Sequence, residues 1–302
     1  MKPIKTSLLI ALLALSLVGC KQTDASFDDL TDSEKLEALD IRIERHPKDA
    51  DAYADRSSVL FNLGRTKEAL TDINKAVELA PSNVDYRLRQ ADIHFANGDV
   101  ENSYQALSEA EKLAPESDEV HLKMGEVTFY SRDYDRSLLC LSKVTEHDPN
   151  NRTALFMKGF IYKEKGDTAN AVTLLRKVCD LYPDYAGAFE ELGILYYTRH
   201  NPLAVEYLNT ALHLEPNNTN VLYALAMYSQ ENGDIEQAES LYRQILTINP
   251  ASADTWHNLG YIELTHYHDY PRAVTYFDSA LLADPTHRAA AENRQLALEM
   301  MK

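Results

Sequence analysis

Prolines punctuate this chain at a fixed interval. They stand at positions 47, 81, 115, 149 and 183, each 34 residues after the last, and then at 216, 250 and 285. Glycines keep the same beat, with Gly64, Gly98, Gly166 and Gly233 at one phase and Gly125, Gly159, Gly193 and Gly260 at another. A period in this range specifies an array of stacked supersecondary units. Within residues 50–83, Tyr53, Leu60, Ala69, Ile73, Ala76 and Leu79 recur at helical spacing, interrupted at Leu63-Gly64-Arg65. Gly64 supplies the left-handed residue that ends one helix, and the closing proline stops the second. Each unit is therefore two antiparallel helices that cannot bury their apolar faces alone and must stack on neighbours.

The positions inside the unit resemble the tetratricopeptide repeat. Counting within one repeat, that family shows a large residue at position 4, Leu-Gly at 7 and 8, Tyr at 11, Ala at 20, an aromatic or apolar residue at 24, Ala at 27 and Pro at 32. The last repeat follows it with Trp256, Leu259-Gly260, Ala273, Phe277, Ala280 and Pro285; the fifth has Phe189, Leu192-Gly193, Tyr196, Ala204, Leu208, Ala211 and Pro216. Small residues at 8, 20 and 27, such as Ser57/Ala69/Ala76 and Gly159/Ala171/Val178, allow helix backbones to approach closely. The resemblance implies an all-α, right-handed superhelical solenoid with seven repeats over 50–287. A leading helix is expected within 32–49, begun by the capping-box pattern Thr31-Asp32-Ser33-Glu34. A terminal capping helix within 288–302 should cover the open end with Leu296 and Leu298 and turn Glu292, Arg294 and Glu299 to water. Arg56, Gln90 and Lys158 replace the position-7 leucine, and Arg87 and His121 the large residue at position 4, so the first four repeats are expected to be locally looser. The off-length segments 199–202 and 266–271 read as turns whose proline opens the second helix at its first position.

The N-terminus carries a different signal. Lys2 and Lys5 precede an apolar run from Leu8 to Val18, too short for a membrane span, followed by Leu17-Val18-Gly19-Cys20. This resembles the lipobox of bacterial lipoproteins. It implies a signal peptide over 1–19, acylation at Cys20, and a polar tether over 20–31 that anchors the protein to the membrane. Lys21, rather than Asp, after the cysteine resembles lipoproteins sorted to the outer membrane. The other cysteines, Cys140 and Cys179, sit at non-equivalent repeat positions and are expected to be buried thiols.

The full chain has a formal charge of −17, and losing residues 1–19 with Lys2 and Lys5 makes it −19. That balance, without a basic stripe, disfavours nucleic acid. No phosphate loop, metalloprotease helix, serine-hydrolase elbow or paired-cysteine metal spacing occurs. The chain therefore reads as a non-enzyme with no cofactor. His257, His266 and His268, with Asp269 and His287 nearby, are the one cluster to weigh as a metal or ligand binder, and their spacing sets no three ligands on one helix face.

The resemblance further implies that positions 2, 5, 9, 12 and 13 of each first helix line a concave groove. Here the candidates are Phe61, Leu88, Phe95, Leu122, Phe129, Phe156, Phe160, Tyr197, Tyr223, Met227 and Tyr261. Leu264 and Ala54 occupy equivalent positions, and Asp51, Asp85, Glu119 and Asp254 recur at the rim. Aromatic rings offer large contact area at small entropic cost. A hydrophobic or aromatic peptide, extended or helical and with basic residues for the acidic rim, is the expected partner. Ala54 and Ser58, where chaperone-binding members carry Lys and Asn, argue against a clamp for a peptide C-terminus. The expectation is an envelope scaffold that binds a protein or peptide at the membrane. The rival is a structural subunit of an outer-membrane assembly, docked through second helices or the ends of the array.

Overall fold

The computed structural model describes residues 27–302; the lipobox and Cys20 lie outside them. Among the described residues there are sixteen α-helices and no strand. They form two compact units, one up to Glu116 and one from Ser117.

The first unit holds α1 (Asp32–Arg45), α2 (Ala50–Asn62), α3 (Thr66–Leu79), α4 (Val84–Ala96) and α5 (Val100–Leu113). Its core joins Leu60, Ala69, Ile73, Ala76 and Ile93, with α1 adding Leu39 against Ala52. The second unit holds α6 (Asp118–Tyr130), α7 (Tyr134–His147), α8 (Arg152–Glu164), α9 (Thr168–Leu181), α10 (Ala186–Tyr197) and α11 (Leu203–Leu214). It continues with α12 (Thr219–Glu231), α13 (Ile235–Ile248), α14 (Ala253–Ile262), α15 (Tyr270–Ala283) and α16 (Arg288–Met300). One core runs there from Leu155 to Ile262.

The helix ends follow simple chemistry. Asp49, Asn83, Ser117, Asn151 and Asn218 each accept a hydrogen bond from a backbone N–H in the first turn of α2, α4, α6, α8 and α12. Asp99, Asp133, Asp167, Asp234 and Asp269 do the same for α5, α7, α9, α13 and α15. A carboxylate there also meets the positive end of the helix dipole, so part of the chain's acidity is spent on capping. The residue before most of these second-helix caps is left-handed: Gly64, Gly98, Gly166 and Gly233, but Arg132, His200 and His268 in the third, fifth and seventh repeats.

Four expectations need correction. The polar residues at position 7 are not loose. Arg56 donates to both carboxylate oxygens of Asp72 at 2.7 Å and to Asp40 of α1 at 2.7 Å. Gln90 donates to Asn74 at 2.7 Å, and Lys158 to Ser142 and Thr145 at 3.1 Å each. In each case the partner includes the residue sixteen positions earlier, on the preceding second helix, so α1 plays the part of a second helix for the first repeat. Arg294 of α16 reaches Asp278 of α15 in the same relation, at 2.5 Å, and so bridges rather than facing water freely.

The C-terminal helix is therefore half of a further repeat. It buries Ala290 and Ala297, while Leu296 is 46% exposed and does not cover the end of the array as expected. The segment 266–271 is not a plain turn: a π-helical turn spans Glu263–Tyr267, His268 is left-handed, and α15 starts at Tyr270 with Pro271 behind it. The single extra residue of this repeat is absorbed as a π bulge. Finally, Pro202 caps α11 instead of occupying its first turn.

Cys140 and Cys179 are buried thiols outside any disulfide. Burial, reinforced by Asp180, pushes the Cys179 thiol up to about 12, which leaves it inert.

The histidines divide. His257 stacks on His287 with ring centroids 5.0 Å apart, whereas His266 and His268 belong to the π turn and its left-handed exit. Among the described residues no three His, Cys, Asp or Glu side chains are placed to hold a metal. His287 caps α16: its Nδ1 accepts from the Ala290 N–H at 3.0 Å, leaving Nε2 3.1 Å from Asp254 Oδ1. His257 Nε2 lies 3.0 Å from Asn293 Nδ2 of α16, and its Nδ1 lies 3.2 Å from Asn258 Oδ1.

Burial first, and the neighbouring His287, hold the His257 imidazole below its usual value, against the opposing pulls of Asn258 and Asp254. The folded state then binds fewer protons there than the unfolded chain, so stability falls as pH drops below about 6.5. Melting temperatures across pH 7.5 to 5.5 are expected to decline more steeply for the native protein than for His257→Gln. Equal slopes would show that this imidazole does not govern that window. Asp49, held low by its hydrogen bonds from Arg42, contributes stability that is lost only at much lower pH.

Candidate functional site: the first-helix wall

In the unit up to Glu116, Phe61 and Phe95 are half-buried, but Leu88 is 5% exposed and Ala54 2%. Position 5 stands at the seam between neighbouring first helices. Leu88 is therefore a packing residue in this unit and not a groove anchor, whereas Leu122 at the same repeat position is half-buried and lines a pocket. Leu264 is likewise buried, because the π turn rotates position 12 inward. The wall here is closed further by Arg89, which donates to the Ala54 carbonyl at 2.6 Å, and by the Tyr86 hydroxyl on Asp51. Burial raises the Asp55 carboxyl above its ordinary range, against the pull of Arg42.

In the unit from Ser117 the wall is open in two places. Between α6 and α8, Leu122, Phe129, Phe156 and Phe160 surround a pocket of about 330 Å³, with Lys123, Glu126, Tyr130, Thr153 and Met157 at its margin. Phe129 meets Phe160 edge to face at 5.6 Å, and Phe156 meets Tyr185 at 5.1 Å, the favoured geometry for aromatic quadrupoles. The Lys163 ammonium sits 4.0 Å from the Phe160 ring centre and pairs with Glu191 at 2.5 Å, so it caps one side of the wall without leaving a free cation.

The second opening, about 500 Å³, lies along α10, α12 and the start of α14. Tyr197, Tyr223, Met227 and Ile194 supply its apolar surface, with Asn220, Ser252, Asp254 and Thr255 among its polar groups. A hydrogen-bonded floor holds these side chains still. Asn258 Nδ2 donates to the Tyr223 hydroxyl at 2.9 Å and lies 3.2 Å from the Tyr242 hydroxyl, which donates to Gln230 at 3.0 Å. Tyr197 donates to Glu231 at 2.7 Å. Burial raises the Tyr197 and Tyr223 phenols above their usual range, and for Tyr197 the Glu231 carboxylate adds to it, so both remain protonated. Tyr261 lies beyond this opening, 40% exposed beside His257.

Sequence reading missed Tyr130, Met157 and Asn258. Tyr130 occupies position 13, already assigned to this wall, and could have been taken from that rule. Met157 at position 6 and Asn258 of the buried network become visible only once neighbouring repeats are stacked.

Models of the tetratricopeptide repeat match residues 36–84, 55–118, 153–185 and 201–260, together more than half of the chain. PilF of Pseudomonas aeruginosa, a type IV pilus assembly protein, is 29% identical over 157 residues, covering 49% of this chain and 58% of that protein. The curated relatives are matched over only part of their own length, from 20% to 58%. Among solved structures, a tetratricopeptide repeat protein of Parabacteroides merdae superposes with a TM-score of 0.61 at 15% identity, over 82% of this chain and 98% of that one. YrrB, a TPR protein with an unusual peptide-binding site, superposes at 0.51 with 23% identity, over 63% of this chain and 98% of its own. Period, helix pairing, small-residue contacts and these matches agree: the chain belongs to the tetratricopeptide repeat family.

Proposed function

We propose that this protein is a lipid-anchored scaffold of the bacterial envelope that holds a protein or peptide partner on its first-helix wall. One observation carries the binding half: the two openings along α6–α8 and α10–α14, lined by aromatic side chains whose backbones are fixed by repeat packing. Rigid aromatic anchors of this kind concentrate binding energy. YrrB, of the same fold, is a peptide binder by its own description, which supports the reading. The anchoring half rests on the Cys20 motif; among the described residues no helix is long and apolar enough to cross a membrane. Tethering raises the local concentration of a bound partner at the membrane.

Crosslinking in cells tests the binding half. A photoreactive residue at Tyr130, 63% exposed on the first-helix wall, is compared with one at Leu139, 62% exposed on second helix α7. A partner captured from Tyr130, and lost when Phe129→Ser is added while helix content stays intact, supports the scaffold. Capture from Leu139 alone would favour the second reading, a docked assembly subunit. The pilus-assembly role in PilF's name and the exposed Leu282 of second helix α15 favour that alternative. Anchoring has its own check: Cys20→Ser is expected to move the protein from the membrane to the soluble fraction, and an unchanged distribution would refute lipidation.

A further inference from the structure

Resting on the peptide-scaffold reading, we infer that the partner segment carries two anchors, an apolar side chain and a basic one, about eight residues apart in an extended chain. The two openings belong to one unit and use equivalent repeat positions, so they lie on the same wall. Their chemistry differs. The α6–α8 pocket presents four apolar side chains, and its volume suits one large apolar residue. The α10–α14 opening is lined by Asp254, which stands 3.1 Å from His287 Nε2, and by no Lys, Arg or His, and Glu231 adjoins it through Tyr197. The faces of Tyr197 and Tyr223 beside the Asp254 carboxylate are the surroundings a guanidinium or ammonium seeks, by charge and by cation–π attraction. The wall's cation between the two, Lys163, is already paired with Glu191 and does not repel such a residue.

Spacing follows from packing. The first pocket lies between the first helices of the third and fourth repeats, and the second spans those of the fifth to seventh, centred on the sixth, with Asp254 on the seventh. That is about two and a half helix steps, about 25 Å at roughly 10 Å each. An extended chain rises about 3.3 Å per residue, which places the anchors about eight positions apart.

Fluorescence anisotropy on labelled synthetic peptides tests this. The probes are Gly/Ser peptides with one Phe and one Arg separated by two, four, six, eight or ten positions, in both orders. Affinity is expected to peak at a separation near eight, at least tenfold tighter than at two. Asp254→Lys should weaken the best peptide at least fivefold, and exchanging its Arg for Glu should recover much of that loss. Because Asp254 also meets His287, Asp254→Asn with a melting-temperature check serves as the milder variant. Phe129→Ser should erase the dependence on Phe. A flat dependence on spacing, or a peak that survives Asp254→Lys, overturns the two-anchor inference. Phe-only peptides that bind as well as Phe/Arg ones, and are lost with Phe129→Ser, overturn it while leaving the scaffold reading intact. Failure of every peptide to bind folded protein, with crosslinks confined to Leu139, overturns both.

Discussion

Replacing Gly193 with alanine is expected to destabilise the protein by about 1–3 kcal/mol, whereas the same change at Gly187 is expected to stabilise it by about 0.4–1 kcal/mol. Both glycines lie in α10 with ordinary helical backbone, so intrinsic propensity favours alanine at each. What differs is the space. A Cβ on Gly193 would stand 2.7 Å from Leu208 Cγ and 3.0 Å from the Leu208 backbone nitrogen. The side chain could turn aside, but the backbone of α11 would have to move. A Cβ on Gly187 meets nothing nearer than 3.7 Å, an ordinary contact with Tyr185. Gly193→Leu should cost more than alanine, since the added branches have no volume to enter. Denaturant unfolding followed by far-ultraviolet circular dichroism measures all three. A stabilising Gly193→Ala would show that α10 and α11 are not in close backbone contact.

That contact was legible before any coordinates, because a period of 34 with a small residue at positions 8, 20 and 27 has no other economical use. The prolines likewise announced where second helices end: each follows the last helical residue by two positions, where a missing N–H does no harm. Caps were less legible. The recurring aspartate before five of the second helices was in plain view, yet its role depends on the left-handed residue ahead of it. That residue is glycine in four repeats but Arg132, His200 or His268 in the others, so no glycine marks the turn.

The wall was only partly readable, for a physical reason. Repeat position gives the direction in which a side chain leaves its helix; Phe129, Phe156 and Phe160 line one opening and Tyr197, Tyr223 and Met227 the other. Depth depends on the neighbouring helices, which differ between repeats, as well as on side-chain length: Leu122 lines a pocket at the position where Leu88 is buried. Leu88 and Ala54 stop within the seam at a position where Phe156 and Tyr223 reach out of it. The π turn at Glu263–Tyr267 adds a residue to one helical circuit, and Leu264 turns inward with it. No single-repeat count could detect either effect.

Arg56→Leu, which installs the leucine that the repeat family prefers at this position, is expected to cost about 3 kcal/mol or more. The reason is Asp72, whose side chain is 6% exposed and receives both of its short hydrogen bonds at 2.7 Å from Arg56. Removing the guanidinium leaves a desolvated carboxylate with nothing to hold its charge. Asp72→Leu should cost less, about 1–3 kcal/mol, because Arg56 keeps Asp40 at 2.7 Å and its side chain is 23% exposed to water. The double change Arg56→Leu/Asp72→Leu removes the stranded charge altogether. An apolar pair in place of a buried ion pair is often neutral or stabilising, so the double variant should be more stable than Arg56→Leu and recover most of its loss. The double-mutant cycle then reports a coupling of several kcal/mol, little changed by added salt because the pair is shielded from solvent. Additive losses, with the double variant the least stable of all, would mean that Arg56 and Asp72 contribute separately through packing. The leucine preferred at position 7 would then be excluded from this repeat by shape, not by the carboxylate facing it.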